Sequence, residues 1–257
     1  MNRFHLNPAQ AAAETHEPLH LEHGLLRESH RRGFHYSLFA PLHYERNYAY
    51  PLVVWLHGPG DDERQLQRVM PLVSMRNFVS IGPRGPRPCA ASGTGFTWSQ
   101  CEADVTAAEG SVFDCLEVAR EKFSVAPHRI FLAGYQAGGT MAFRLGLKYP
   151  RKFAGILSLG GPFPTGNCPL VYFDQARQLP LFIAHSRHSE FYPVETTCQE
   201  LRLFHTAGMH VTLRQYPCGD ELNAQMLHDM NVWIMELVTG VTTTQTESLS
   251  PQVGDDN

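Results

Sequence analysis

Five residues, Gly134-Tyr135-Gln136-Ala137-Gly138, follow the apolar run Ile130-Phe131-Leu132-Ala133 and lead into an amphipathic stretch that starts after Gly138 and Gly139. The pattern predicts a strand, a sharp turn and a helix, with the middle residue of the turn exposed at its tip. A serine at that tip would be the nucleophile of an acyl-transfer reaction. The tip residue here is Gln136. Its amide nitrogen is a poor nucleophile, because the lone pair is delocalised into the carbonyl. Other reactive groups stand in three further segments: His57-Gly58-Pro59-Gly60-Asp61-Asp62, the run from His185 through His188 to Ser189, and Cys218-Gly219-Asp220. Cys218 or Ser189 as nucleophile, with His185 or His188 as base, is one arrangement these allow. Asp220 is a weak base, its reference pKa being about 3.9 unless burial raises it. Asp61 and Asp62 precede a helical pattern and fit the role of its caps.

The elements that must position these residues alternate along the chain. "FHYSLFAP" (34–41) has strand alternation and stops at proline, and "YPLVVWLHG" (50–58) is a continuous apolar run of the kind buried on both faces of a sheet. A helix follows over Leu66, Val69, Met70 and Val73, with Pro71 expected to bend or shorten it. The order then runs strand 78–83, a long Gly/Pro/Ser-rich loop 82–104, helix 104–123, the strand into Gly134, its helix, and the strand "FAGILSLGG". Strand 179–186, helix 194–208 closed by Gly208, the strand "HVTLRQYP" and a last helix through Leu222, Met226, Met230 and Ile234 complete it. This alternation predicts an α/β chain with a mostly parallel central sheet and helices on both faces. Parallel sheets bind ligands beyond the carboxyl ends of their strands, where the loops 57–62, 134–138, 185–193 and 217–221 would converge.

Residues 1–18 read as a flexible lead-in, 19–240 as a single domain, and 241–257 as a disordered polar tail. A net charge of -4 and a pI near 6.4 give no electrostatic reason to expect nucleic acid. The first residues lack the apolar core of a secretory signal, and no run reaches the roughly 18 apolar residues of a membrane span, so a cytoplasmic protein is expected. Six cysteines without a Cys-x-x-Cys pair argue against structural zinc. Cys89 and Cys101, flanking one glycine-rich loop, are the pair to suspect if any disulfide forms. His185 and His188 lie at a strand end, where spacing alone fixes no shared face, so neither a metal nor a cofactor is expected.

Several motifs in one order carry a family resemblance over residues 34–238: "LHGPGDD" (56–62), "GPRGP" (82–86), "TWSQ" (97–100), "RIFLAGYQAGGTMAFRLGLKYPRKFAGILSLGG" (129–161), "LFIAHSRHSEFYPVE" (181–195) and "QYPCGDELNAQMLHDMNVWI" (215–234). Together they resemble the α/β-hydrolase superfamily, in particular the phospholipase/carboxylesterase group of small esterases and thioesterases. The resemblance implies an oxyanion loop at His57-Gly58-Pro59-Gly60, a nucleophile elbow at Gln136, an acid loop at Ser189 and a histidine loop at Asp220. At the last three positions the family's Ser, Asp and His are replaced. It also implies that His57 supports its loop and is not the base.

From this follow a scaffold without its catalytic triad and a further set of expectations. Gln136 and Asp220 should lie within hydrogen-bond reach, the amide donating to the carboxylate, with Ser189 donating to the same carboxylate. Backbone N–H groups around Gly58, Gly60 and Ala137 should still present donors, so that His57, Gly58, Gly60, Gln136, Ala137 and Asp220 would surround a small acyl or carboxylate ligand. The main functional expectation is a catalytically inactive relative that binds such a ligand or a protein. The alternatives are a carboxylesterase, phospholipase or thioesterase using non-standard residues, and an interaction module marked by an exposed apolar patch or a homodimer. Phe96, Trp98, Phe163 and Phe173 could wall a pocket or belong to the core.

Overall fold

The computed structural model describes residues 27–31, 34–166 and 172–241. The expected lead-in at 1–18 lies outside them, as does the expected tail apart from residue 241. In chain order the elements are β1 (Arg27–Arg31), β2 (Phe34–Phe39), β3 (Tyr50–Leu56), α1 (Gln65–Val73), β4 (Val79–Pro83), β5 (Arg87–Pro88), β6 (Phe96–Thr97) and α2 (Glu102–Lys122). Then follow β7 (Val125–Tyr135), α3 (Ala137–Lys148), β8 (Gly155–Leu159), α4 (Phe173–Ala176), β9 (Leu181–Ser186), α5 (Val194–Thr206), β10 (Val211–Tyr216) and α6 (Ala224–Thr239).

Eight strands form one sheet in the order β1-β2-β4-β3-β7-β8-β9-β10. From β4 across to β10 every neighbouring pair is parallel, and only β2 against β1 and β4 is antiparallel. The run Tyr50–Leu56 explains its central place, since all seven residues are buried and apolar side chains serve both faces. On one face Leu52, Val54 and Leu132 meet Val112 and Leu116 of α2, Met141 and Leu145 of α3 and Phe204 of α5. On the other, Val53, Trp55, Phe131 and Phe182 meet Leu66 and Met70 of α1 and Met230 and Trp233 of α6. The expected sheet with helices on both faces is therefore the observed one.

Differences from expectation are local. Pro71 stands inside the last turn of α1, which ends at Val73. The long loop contains a two-residue hairpin, β5 against β6, and Phe96 of that hairpin bridges to Asp61. Helix α6 starts at Ala224, where Asn223 Oδ1 accepts Met226 N–H at 2.9 Å, and Gly240 closes it in the left-handed conformation at φ 69°. Among the suspected pocket aromatics, Trp98 and Phe163 are buried in the core. The Arg84 guanidinium lies 4.7 Å over the ring of Phe96, and Phe173 is exposed. Cys89, Cys101, Cys115, Cys198 and Cys218 are free thiols.

Candidate active site

Strands β3, β7, β9 and β10 run parallel and end at one edge of the sheet, where the four expected loops meet. At the end of β7, Gln136 holds φ 47° and ψ -114°. A residue with a side chain held in so sparsely populated a conformation costs about 1–3 kcal/mol. The main chain fixes it from both sides: Gln136 N–H donates to Leu159 O at 2.8 Å, and Gln136 O accepts Thr140 N–H at 2.9 Å. The flanking glycines are steric requirements. A Cβ on Gly138 would stand 2.2 Å from Leu56 O, and one on Gly134 would stand 2.4 Å from the Gly138 carbonyl carbon. The strained turn with its tip residue is thus built as the sequence pattern predicts, around an amide.

Gln136 does reach Asp220, but not as expected. Its Nε2 donates to the main-chain carbonyl of Asp220 at 3.2 Å and to the Tyr135 hydroxyl at 3.3 Å, while that hydroxyl itself donates to the same Asp220 carbonyl. The Asp220 carboxylate turns to the neighbouring loop. Ser189 Oγ donates to one of its oxygens, and the N–H groups of Glu190 and Phe191 donate to the other at 2.9 and 3.3 Å. Three converging donors outbid a single amide for a charged acceptor. Burial pushes the Asp220 carboxyl upward, but these three hydrogen bonds outweigh it and hold the group below the usual carboxylate range. Burial, then the charges of Asp220 and Glu221, push the Tyr135 phenol up to about 12, so it stays a donor at neutral pH.

The expected donors of the glycine loop are spent. Gly58 N–H donates to Gln65 Oε1 at 3.1 Å, and Gly60 N–H donates to Phe96 O at 2.9 Å. Pro59, between them, has no N–H. Gln65 also accepts the Trp55 indole N–H at 2.9 Å and donates to Asp61 at 2.9 Å, so one side chain of α1 locks the whole loop. Of the expected ligand-facing donors only Ala137, in the first turn of α3, keeps an N–H at a helix N-terminus. Asp61 and Asp62 serve this lock as well: Asp62 accepts Arg64 N–H at 2.9 Å just ahead of α1, but the helix N-cap, Arg64, makes no side-chain cap bond.

The histidines and the cysteine are likewise engaged. Gly85 N–H donates to His57 Nε2 at 2.8 Å, so Nδ1 carries the proton and donates to Gly58 O at 2.7 Å. Burial lowers the pKa of His57, and both ring nitrogens are bonded to the main chain of the surrounding loops. His185 is fully buried, donating from Nε2 to Tyr192 O at 3.0 Å while Nδ1 faces Gln215 Nε2 at 3.4 Å, so neither nitrogen is placed to take a proton from a nucleophile. His188 is exposed, and its main-chain N–H ties to Cys218 O at 3.0 Å. Cys218 Sγ donates to Ser186 Oγ at 3.4 Å and accepts from Asn223 Nδ2 at 3.1 Å. No histidine is hydrogen-bonded to that thiol among the described residues. Nor does any group of three His, Cys, Asp or Glu there have the geometry to hold a metal ion.

Residues 43–238 match the phospholipase/carboxylesterase family of α/β-hydrolases. The chain belongs to that family. NocK of Nocardia uniformis subsp. tsuyamanensis, a protein named for esterase activity, is 27% identical over 125 residues, which are 45% of this chain. The chain spans 34% of the length of NocK. Among solved structures, the carboxylesterase of Mesorhizobium loti is similar at a TM-score of 0.67 and 17% identity, over 82% of this chain and 98% of that one. SOBER1 of Arabidopsis thaliana gives 0.63 and 19%, over 74% and 100%. The Bacillus cereus carboxylesterase gives 0.62 and 17%, over 79% and 94%. At these identities the likeness is one of fold, and the fold is that of the α/β-hydrolases. Among the described residues no helix is long and apolar enough to cross a membrane.

Two residues of the site escape the sequence reading. Tyr135 was adjacent to the tip and could have been suspected from that position alone. Gln65 gave no signal, because a glutamine at a helix start reads as a solvent-facing residue.

Proposed function

We propose that this member of the carboxylesterase family keeps the scaffold for binding and does not turn over esters. One observation carries the reading: the tip of the elbow is an amide tied to the main chain of Asp220, while the Asp220 carboxylate is closed by Ser189, Glu190 and Phe191. On the resemblance, Gln136, Ser189 and Asp220 hold the places of nucleophile, acid and base. An enzyme of this type that loses any triad member retains only about 10³–10⁴ over water, through its oxyanion hole and binding. Here the N–H groups of Gly58 and Gly60 are taken within the protein and Pro59 has none, which removes much of that remainder too. A small carbonyl or carboxylate compound resting on the Ala137 N–H at the start of α3 is the ligand this geometry suits.

Family membership favours a second reading, hydrolysis of an acyl ester by other residues, with Cys218 or Ser189 as nucleophile. Turnover of a short-chain p-nitrophenyl ester decides between them. The parent is measured beside Gln136→Ser/Ser189→Asp/Asp220→His, and beside the same variant with Pro59→Leu to restore a loop N–H. We expect a silent parent, an active triple variant, and a further gain of about 10²-fold in kcat from Pro59→Leu. Sustained turnover by the parent, abolished by Cys218→Ala or Ser189→Ala, would establish the second reading.

A further inference from the structure

Arg144 lies near the middle of α3, eight residues beyond Gln136, or about 12 Å along a helix rising 1.5 Å per residue. It is only 4% exposed. Its Nε donates to Gln100 Oε1 at 2.5 Å, and its two terminal nitrogens donate to Thr165 O at 2.8 Å and Gly166 O at 3.3 Å. All three acceptors are neutral. Arginine is almost never buried without an anionic partner, because an uncompensated charge away from water is expensive. Yet no carboxylate pairs with Arg144 among the described residues. Two acids of the adjoining helix α2 are committed elsewhere: Asp104 to Arg87, and Glu109 to Lys148 and Tyr149. Residues 167–171, Asn-Cys-Pro-Leu-Val, contain no acid.

A second, independent group beside the guanidinium is also unsatisfied. Gln100 gives its oxygen to Arg144, and its Nε2 is buried with no hydrogen-bond partner. A buried amide N–H without an acceptor is destabilising, and native structures tolerate few such groups. The bonds described use three of the five guanidinium N–H groups, so a cation and an amide with donors to spare stand side by side. Burial lowers the pKa of Arg144, and no acidic neighbour offsets the effect.

We infer that Arg144 and Gln100 form a binding site for a small monocarboxylate, separate from the elbow. A planar carboxylate has two oxygens and accepts from both groups at once, one oxygen on the guanidinium and one on Gln100 Nε2. A single charge matches the single buried cation, whereas a phosphate dianion would leave a second charge uncompensated. Entry is short: Thr165 and Gly166 are exposed, and the 3.3 Å bond to Gly166 O is the weakest of the three that a ligand must displace.

Sodium acetate and sodium butyrate, titrated at pH 7 against sodium chloride of equal ionic strength, test the site by calorimetry and thermal shift. The wild type is expected to show a saturable site at Arg144 with a rising Tm, besides anything held at the elbow. Arg144→Met should abolish it. Gln100→Glu supplies the missing carboxylate from within the chain, so that variant should have a higher Tm than the wild type and lose the same site. Binding lost in both Arg144→Met and Gln100→Glu reports this site, because neither residue supplies the Ala137 N–H, and that separates it from the elbow and from any failure of the reading given there. Absence of saturable binding to the wild type, or undiminished binding to Gln100→Glu, would overturn the inference. If Arg144→Met does not fold, Gln100→Glu decides alone.

Discussion

The hydroxyl of Ser189 stands between two partners, donating to the carboxylate of Asp220 and accepting the N–H of Tyr192 at 2.8 Å. The two bonds respond differently to pH. The one to Asp220 is strong only while that group is ionised, and its folded pKa is depressed: burial raises it, but Ser189 and two backbone N–H groups lower it further. A depressed carboxyl stabilises the fold above its unfolded pKa of about 3.9, and the contribution is lost as pH falls through the folded value.

Ser189→Ala should therefore cost most at pH 7 and less at pH 3. Discounted for the exposure of Asp220, the pH-dependent part is about 1 kcal/mol. The remaining loss, from the Tyr192 N–H, should persist at both pH values. Urea denaturation of wild type and variant at the two pH values measures the difference. A loss of equal size at pH 3 and pH 7 would mean that the Asp220 carboxylate is not held by Ser189 in solution.

His57 provides a second pH-dependent contribution. Buried with Nε2 accepting from Gly85, the ring resists the proton that an unfolded histidine binds near pH 6.5. Where the unfolded chain binds more protons, stability rises with pH, so His57 costs nothing above about pH 6.5 and penalises the fold progressively below it. His57→Gln should be destabilised at pH 8 by about 1–3 kcal/mol through the lost bonds. The gap to wild type should narrow toward pH 5, because the variant escapes the protonation penalty. In the wild type at pH 6, the nitrogen chemical shift of Nε2 should be that of an unprotonated ring atom.

What the sequence reveals and what it hides at this site separate by distance along the chain. Apolar runs alternating with helical patterns place four loops at one sheet edge, and Gly134 and Gly138 around Gln136 are enough to foresee a strained turn. Which atom of Asp220 meets Gln136 depends on how the loop 217–223 is pulled by Ser189, in another loop, and no local pattern encodes that. Gly58 and Gly60 suggest free donors until Gln65 and Phe96, from other elements, take their N–H groups. The β5–β6 hairpin is hidden because its strands are two residues long and set among glycines and prolines. Arg144 reads as the polar face of an amphipathic helix, and only packing against the segment 162–166 reveals it as buried.

Gln65 makes a prediction about the glycine loop. Its Oε1 accepts both Trp55 Nε1–H and Gly58 N–H in the core, so Gln65→Leu would strand two buried donors at once. The cost should be about 2–4 kcal/mol. At roughly 2–4 °C per kcal/mol for a domain of this size, the Tm should fall by roughly 5–15 °C. Thermal unfolding by circular dichroism measures it, and an unchanged Tm would show that the loop finds other acceptors when released.

The strain at Gln136 can be isolated by a pair of variants. Gln136→Ala and Gln136→Gly both remove the amide, and with it the bonds to Asp220 O and Tyr135, so that loss cancels in the comparison. At an ordinary position glycine is the less stable of the two by roughly 0.5–1 kcal/mol, because the unfolded chain gains freedom. At φ 47° and ψ -114° the order should reverse. Alanine keeps a Cβ in a conformation that costs about 1–3 kcal/mol, whereas glycine does not, so Gln136→Gly should be the more stable by about 1–2 kcal/mol. Denaturant midpoints of the two variants measure the difference directly. Equal stability, or a more stable alanine variant, would mean that the turn relaxes once the amide is gone; the strain would then come from the Gln136 side-chain bonds, and Gly134 and Gly138 would not be imposing it.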